Sequence, residues 1–208
     1  MSARKSATQL ALVSTWKKDR YAFGGSLLRN SHAKTKRPFS KKLAVHLVLR
    51  SSHATGPRSL LRQGRRVDEI LIEEARKQNL KLHGAANAGN HLHLLVQAPS
   101  RDHLNAFLRA VSSRISMLVT GARKGTPQTQ ALSKHAAASA RFWDQRPFSR
   151  LVSVGRDFMN TLAYISLNST ESAGFSRSSA RAMFREIRER FARGEITRSP
   201  GLAAAGFV

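Results

Sequence analysis

Two histidines, His91 and His93, alternate with leucines in the run Asn90-His91-Leu92-His93-Leu94-Leu95-Val96. Side chains alternate faces along a strand, so both imidazoles project from one face while Leu92 and Leu94 project from the other. Neutral imidazoles placed this way can share a divalent cation. The same spacing also describes a half-buried strand with two solvated histidines. Choosing between the two requires a third ligand and a nucleophile, and the helix predicted over 156–168 offers both residue types. Phe158, Leu162 and Ile165 form its core stripe. At ~100° per residue Tyr164 lies roughly 120° from that stripe, on the side of Asp157, Thr161 and Asn168. Tyr164 and Asn168 are four residues apart and stack one turn from each other. A phenol becomes a competent nucleophile when a base or a metal lowers the cost of its ionisation. Taken alone, the pair equally fits a tyrosine at the core edge and an asparagine capping a helix.

The run Arg141-Phe142-Trp143-Asp144-Gln145-Arg146-Pro147-Phe148-Ser149-Arg150 interleaves aromatics with arginines. Arg pairs bidentately with phosphate, and Trp or Phe stacks on unpaired bases. A solvated loop with Trp143 as a core plug is the plainer account of the same run. Between Asp102 and Glu171 the only acids are Asp144 and Asp157, so a phosphate would meet little repulsion there.

Charge narrows the partner. The chain has 36 Lys and Arg against 12 acids, a formal net charge of +24. Residues 1–66 hold 16 basic side chains and a single acid, Asp19. Such an excess favours a polyanion through phosphate neutralisation and counterion release. Nucleic acid is preferred over an anionic membrane, because no strongly basic amphipathic helix with a broad aromatic face stands out. No apolar run approaches the ~18 residues of a membrane span. The absence of cysteine excludes disulfides and thiolate metal sites, so a metal must sit on His, carboxylate, amide or water. Residues 1–20 lack both an amphipathic Arg repeat and an apolar signal core, so no targeting segment is expected.

With 208 residues, 41% of them hydrophobic, the chain suits one domain with appendages. Residues 1–37 read as a basic arm, with Trp16, Tyr21, Phe23, Leu27 and Leu28 as anchors that let part of it dock. Ala44–Leu49 is the first strand and Ser51–Gly64 a loop. Val67, Ile70, Leu71, Glu74 and Ala75 then fall on a helical period. Leu80–His83 opens a second strand, Gly84–Asn90 reads as a turn, and the His-x-His strand completes an antiparallel hairpin ended by Pro99. Leu104, Phe107, Leu108, Val111, Ile115 and Leu118 mark a helix over 102–119, begun by Ser100 or Asp102. A loop over 121–130, a short helix within 131–140, a strand over 148–154, and helices over 156–168 and 180–192 follow, the last stopped by Gly194. This order predicts an α+β fold, a mainly antiparallel sheet covered by helices.

Together these motifs resemble the single-tyrosine HUH transposases, most closely their REP-associated tyrosine transposase branch. The family pattern is Asn-His-hydrophobic-His-Leu-Leu-Val, a long helix, a Phe-Trp or Trp-Gln segment with Arg, Tyr-Ile-x-x-Asn, and an Ala-Gly-hydrophobic ending. The corresponding residues are Asn90–Val96, then Phe142-Trp143 with Arg146 and Arg150, then Tyr164-Ile165-Ser166-Leu167-Asn168, then Ala173-Gly174-Phe175. The likeness spans residues 38–175, outside the arm 1–37 and a basic helix and tail over 176–208. It implies a ferredoxin-like sheet bearing the histidines, with the tyrosine helix against it. His91, His93 and Asn168 become ligands of Mg²⁺ or Mn²⁺, and Tyr164 the nucleophile that forms a 5′-phosphotyrosine on single-stranded or hairpin DNA. Candidate DNA contacts are Arg50, Arg65, Arg66, Trp143, Arg146 and Arg150. Ala88-Gly89 and Asn168-Ser169 replace the usual Met-Pro and Asn-Pro, which marks a divergent subgroup. The resemblance implies a cytoplasmic, nucleoid-associated enzyme, monomeric or homodimeric. The alternative is a basic DNA- or RNA-binding protein without catalysis.

Overall fold

A computed structural model describes residues 21–28, 36–122 and 141–192. Five antiparallel strands form one sheet: β1 (Ala22–Phe23), β2 (Ala44–Arg50), β3 (Lys81–Asn87), β4 (His91–Gln97) and β5 (Phe148–Val152), in the order β1-β5-β2-β4-β3. Helix α1 (Gly64–Lys77) joins β2 to β3, and α2 (Arg101–Thr120) lies between β4 and β5. From β2 to β5 this is the β-α-β-β-α-β arrangement of a ferredoxin-like fold. The α+β architecture is therefore the one predicted. Helices α3 (Arg156–Ser172) and α4 (Arg177–Ala192) follow the sheet. No helix among the described residues is long and apolar enough to cross a membrane.

Strand alternation divides the side chains between two layers. Val45, Leu47 and Leu49 of β2 and Leu92, Leu94 and Val96 of β4 meet Val67, Leu71, Leu104, Phe107, Val111 and Ile115 in the larger core. The opposite face carries His46, His93, Leu95 and Val152, and it is covered by α3 through Phe158, Leu162 and Ile165. The predicted stripe of α3 is the one that packs, and Tyr164 stands at its margin.

Several boundaries differ from the sequence reading for identifiable reasons. Residues 84–87, expected in a turn, extend β3, with a bulge between Leu82 and Gly84. Gly84 and Ala86 form the seat of α3, and a Cβ on Gly84 would lie 3.0 Å from Leu162 Cδ1. The turn itself shrinks to Ala88–Asn90, where Gly89 takes φ +87° and its N–H donates to Asn87 Oδ1 at 3.0 Å. Within the segment read as a basic arm, Ala22 and Phe23 pair with Arg150 and Ser149, so residues 21–28 join the folded unit. Gly24 permits this with φ +88°; a Cβ there would come within 2.2 Å of Pro147 O. The loop after β2 contains two 3₁₀ turns, Gly56–Arg58 and Leu60–Gln63. Helix α2 begins on Ser100, whose hydroxyl accepts from His103 N, and ends at Gly121 with φ +71°. Strand β5 stops at Val152, α3 runs one turn further than predicted, and α4 starts at Arg177. The helix expected within 131–140 and the stop at Gly194 lie outside the described residues.

Candidate active site

On the α3 face of the sheet, His46, His91 and His93 gather around Tyr164, while a fourth histidine, His83 of β3, packs edge-on to Phe158 of α3 at 5.1 Å. The ring of Tyr164 stands edge-on to His93, with centroids 5.3 Å apart, and to His46 at 6.2 Å. His91 is edge-on to His93 at 4.8 Å. His46 comes from β2, where the larger core face alternates with this one, and its Nε2 lies 3.3 Å from His93 Nδ1. Asn90 Oδ1 is 2.6 Å from His91 Nδ1. An amide oxygen only accepts, so His91 donates from Nδ1 and keeps a free lone pair on Nε2.

Helix α3 is aimed by polar contacts at its start. Arg150 on β5 donates to both oxygens of Asp157, at 3.0 and 3.1 Å, and to Thr161 Oγ1 at 3.0 Å. Ser153 N adds a bond to Asp157 Oδ2 at 2.9 Å. These bonds fix the first turn against β5, and Tyr164, two turns on, comes over His46 of β2 and His93 of β4. Arg150 is thereby committed to holding the helix.

The other candidate residues divide between the two layers. Arg50 pairs with His91 across β2 and β4, and its side chain is 69% exposed, with a long 3.8 Å contact to Asp144. It places a largely exposed cation beside His91. Asn168 donates its amide nitrogen to Tyr164 O at 2.7 Å, which leaves Oδ1 as the atom available to a cation. Arg65 and Arg66 pair with Glu69 at the start of α1, away from the histidines. Trp143 turns inward, donating Nε1 to Ser112 O at 2.8 Å and packing on the larger core. Arg146 lines a cavity of about 600 Å³ between α2 and the segment 141–147, together with Arg37, Arg109 and Arg141. Burial, and then Arg146, lower the Arg37 guanidinium to about 10. No acid occurs between Asp102 and Asp144, so the lining is strongly positive.

Burial keeps the imidazoles neutral. His93 is lowered to about 3 by burial and then by His46 and His91. His46 is lowered to about 4 by burial and then by Arg150. Burial, followed by Arg50, lowers His91 as well. Neutral imidazole is the form that ligates a metal. The buried Nε2 of His93 has no hydrogen-bond partner among the described residues, which fits a position awaiting a cation. Among those residues no three His, Asp or Glu side chains are grouped to hold a metal, so the pair needs an amide or water to complete a ligand set.

The depressed histidines make acid sensitivity an expected property. An unfolded histidine binds its proton near pH 6.5, whereas His46 and His93 in the fold bind theirs near 4 and 3. Their stabilising effect is complete above pH ~6.5 and is lost as pH falls from there through the folded values. The slope within that window approaches about 1.4 kcal/mol per pH unit for each proton. Urea unfolding at pH 7.5, 6 and 5 should show a falling midpoint, and the double variant His46→Gln/His93→Gln should flatten it. A midpoint unchanged between pH 7.5 and 5 would rule this out.

Neither His46 nor the contact of Asn90 with His91 is legible as part of the site from sequence alone. Asn90 directly precedes the first histidine, a signal that was present. His46 sits in an apolar strand with nothing local to mark it; only the pairing of β2 with β4 brings it to His93.

Neither a protein-family profile nor a curated protein sequence matches the chain. Solved structures similar to it at low identity include two transposases. One is a REP-associated tyrosine transposase bound to a REP hairpin, 14% identical, covering 67% of this chain and 73% of the other with a TM-score of 0.49. The second is a candidate transposase from Deinococcus radiodurans R1, 18% identical, covering 65% of this chain and 98% of the other with a TM-score of 0.37. Identities this low leave the chemistry to be read from the side chains themselves.

Proposed function

We propose that the protein is a metal-dependent, transposase-like enzyme that nicks and rejoins single-stranded DNA beside hairpins through Tyr164. The observation that carries this reading is the 5.3 Å edge-on placement of Tyr164 against His93, on the sheet face shared with His91. A phenol and two neutral imidazoles thereby meet from separate elements, which supports the roles of nucleophile and ligands. In this reading Tyr164 Oη attacks the phosphorus of the scissile phosphodiester. The phenol proton passes to solvent, the Oη–P bond forms, the P–O3′ bond breaks, and the leaving oxygen takes up a proton from solvent as a free 3′-hydroxyl. The 5′-phosphotyrosine conserves the bond energy, so another 3′-hydroxyl can rejoin without ATP.

His91 and His93, with Asn168 Oδ1, would hold Mg²⁺ or Mn²⁺, which supplies Lewis acidity at a non-bridging phosphate oxygen. A tyrosine hydroxyl ionises near pH 10 in water, so the phenolate needs positive charge nearby. Arg50 is available for that role. The arginines of the α2 cavity would hold backbone phosphates away from the reacting centre, giving affinity with little sequence choice.

A second reading, a basic nucleic-acid-binding protein without catalysis, is favoured by Asn168, whose amide nitrogen is bound to its own helix. One assay separates the two. The protein is incubated with a library of single-stranded hairpins and Mg²⁺ or Mn²⁺, and denaturing gels are scored for protein linked to a 5′ end. An adduct that disappears with EDTA is expected; tight binding with no adduct on any hairpin would support the binding-only reading.

A further inference from the structure

The face that carries Tyr164 holds one buried imidazole that the reaction above leaves without a task. His46 is 3% exposed and lies diagonal to His93, since its register partner is Leu95 while His93 pairs with Val48. The two rings are only 19° from parallel, with centroids 5.5 Å apart and His46 Nε2 3.3 Å from His93 Nδ1. Rings set edge to edge in nearly one plane are placed for an N–H···N hydrogen bond, in which one nitrogen donates and the other accepts.

The direction of that bond decides what His93 can do. Its Nδ1 is occupied by His46, so only Nε2 remains, and that atom is buried without a partner among the described residues. If His46 donates, a neutral His93 must carry its proton on Nε2 and cannot ligate a cation. If His93 donates, Nε2 presents a bare lone pair toward the site. Asn90 imposes the second arrangement on His91, because its oxygen accepts only.

We infer that His46 is a positioning residue whose Nε2 accepts the Nδ1 proton of His93 and so presents the His93 Nε2 lone pair to a divalent cation; this rests on the metal-dependent reading above. Outer partners of this kind set both the tautomer and the orientation of a ligating histidine. Nothing in the linear sequence marks His46 for the task, whereas β2–β4 pairing imposes it.

Two measurements on the full-length protein test the assignment. Long-range ¹H–¹⁵N correlation spectra of the metal-free protein report which nitrogen of His93 is protonated. Calorimetry with MnCl₂ reports affinity. Wild type is expected to carry the His93 proton on Nδ1. His46→Phe keeps a ring but no acceptor, so the proton should move to Nε2 and the Kd for Mn²⁺ rise about 10–100-fold. His46→Leu is a second acceptor-free variant of different shape. His46→Gln offers an amide oxygen and should restore both the tautomer and an affinity close to wild type. A wild-type His93 protonated on Nε2, or an unchanged Kd in folded His46→Phe or His46→Leu, would overturn the positioning role. Absence of Mn²⁺ binding by wild type with His93 protonated on Nδ1 would instead overturn the metal-dependent reading, and the cation-presenting role with it.

Discussion

Tyr164→Phe is expected to eliminate the covalent protein–DNA adduct, a fall of more than about 10³-fold in yield, while leaving hairpin binding near wild type. The substitution removes one oxygen. The edge-on ring contacts with His93 and His46 depend on the aromatic body and survive it. Leu162 and Ile165, which seat α3 over Gly84, are untouched, so the helix stays in place. The chain contains 2 tyrosines, which gives the experiment an internal control. Tyr21 lies beside β1 at the far edge of the sheet, where its carbonyl accepts from Leu151 N. Tyr21→Phe should therefore keep the adduct. A 5′-linked adduct that persists in Tyr164→Phe would remove Tyr164 from the chemistry.

The parts of the site that were legible in the sequence are those specified by local period. Alternation in β4 places His91 and His93 on one face, and the 3.6-residue period of α3 places Tyr164 beside its apolar stripe; both appear in the fold. Charge along α3 was also readable, but its use was not. Asp157 could be placed on the Tyr164 side, whereas its ion pair with Arg150 depends on how β5 and α3 meet. Arg150 and Trp143 show the limit most plainly. Their types suit phosphate and base contacts, yet packing commits one to Asp157 and the other to Ser112 O. Small residues misled in the opposite direction. Gly84 and Ala86 have the composition of a turn, but their size answers to a helix packed on the strand. Strand β1 was not readable as a strand, because two residues carry no period and their stability comes from pairing with β5. His46 belongs to the same class, since strand order is a non-local property.

His93→Ala is expected to reduce metal-dependent cleavage by two or more orders of magnitude, and Asn168→Ala by about tenfold or less. Lewis acidity at a phosphate is worth several kcal/mol of transition-state stabilisation, and each ~1.4 kcal/mol is a factor of ten in rate. His93 cannot be replaced by solvent. It is 4% exposed, its Nδ1 is engaged by His46, and its Nε2 is buried without a hydrogen-bond partner among the described residues. Asn168 differs on each count. It is half-buried, its amide nitrogen bonds its own helix, and only Oδ1 remains to offer, a position that a water oxygen can fill. Asn168→Gln keeps that oxygen on a longer stem and should retain activity. Hairpin affinity without added metal should change little in any of the three variants, because in the proposed reading phosphates are held by arginines elsewhere. Cleavage of wild type that continues unchanged in EDTA would show that the histidines hold no catalytic metal. Equal losses in His93→Ala and Asn168→Ala would show that the amide is an indispensable ligand, and that water does not take its place.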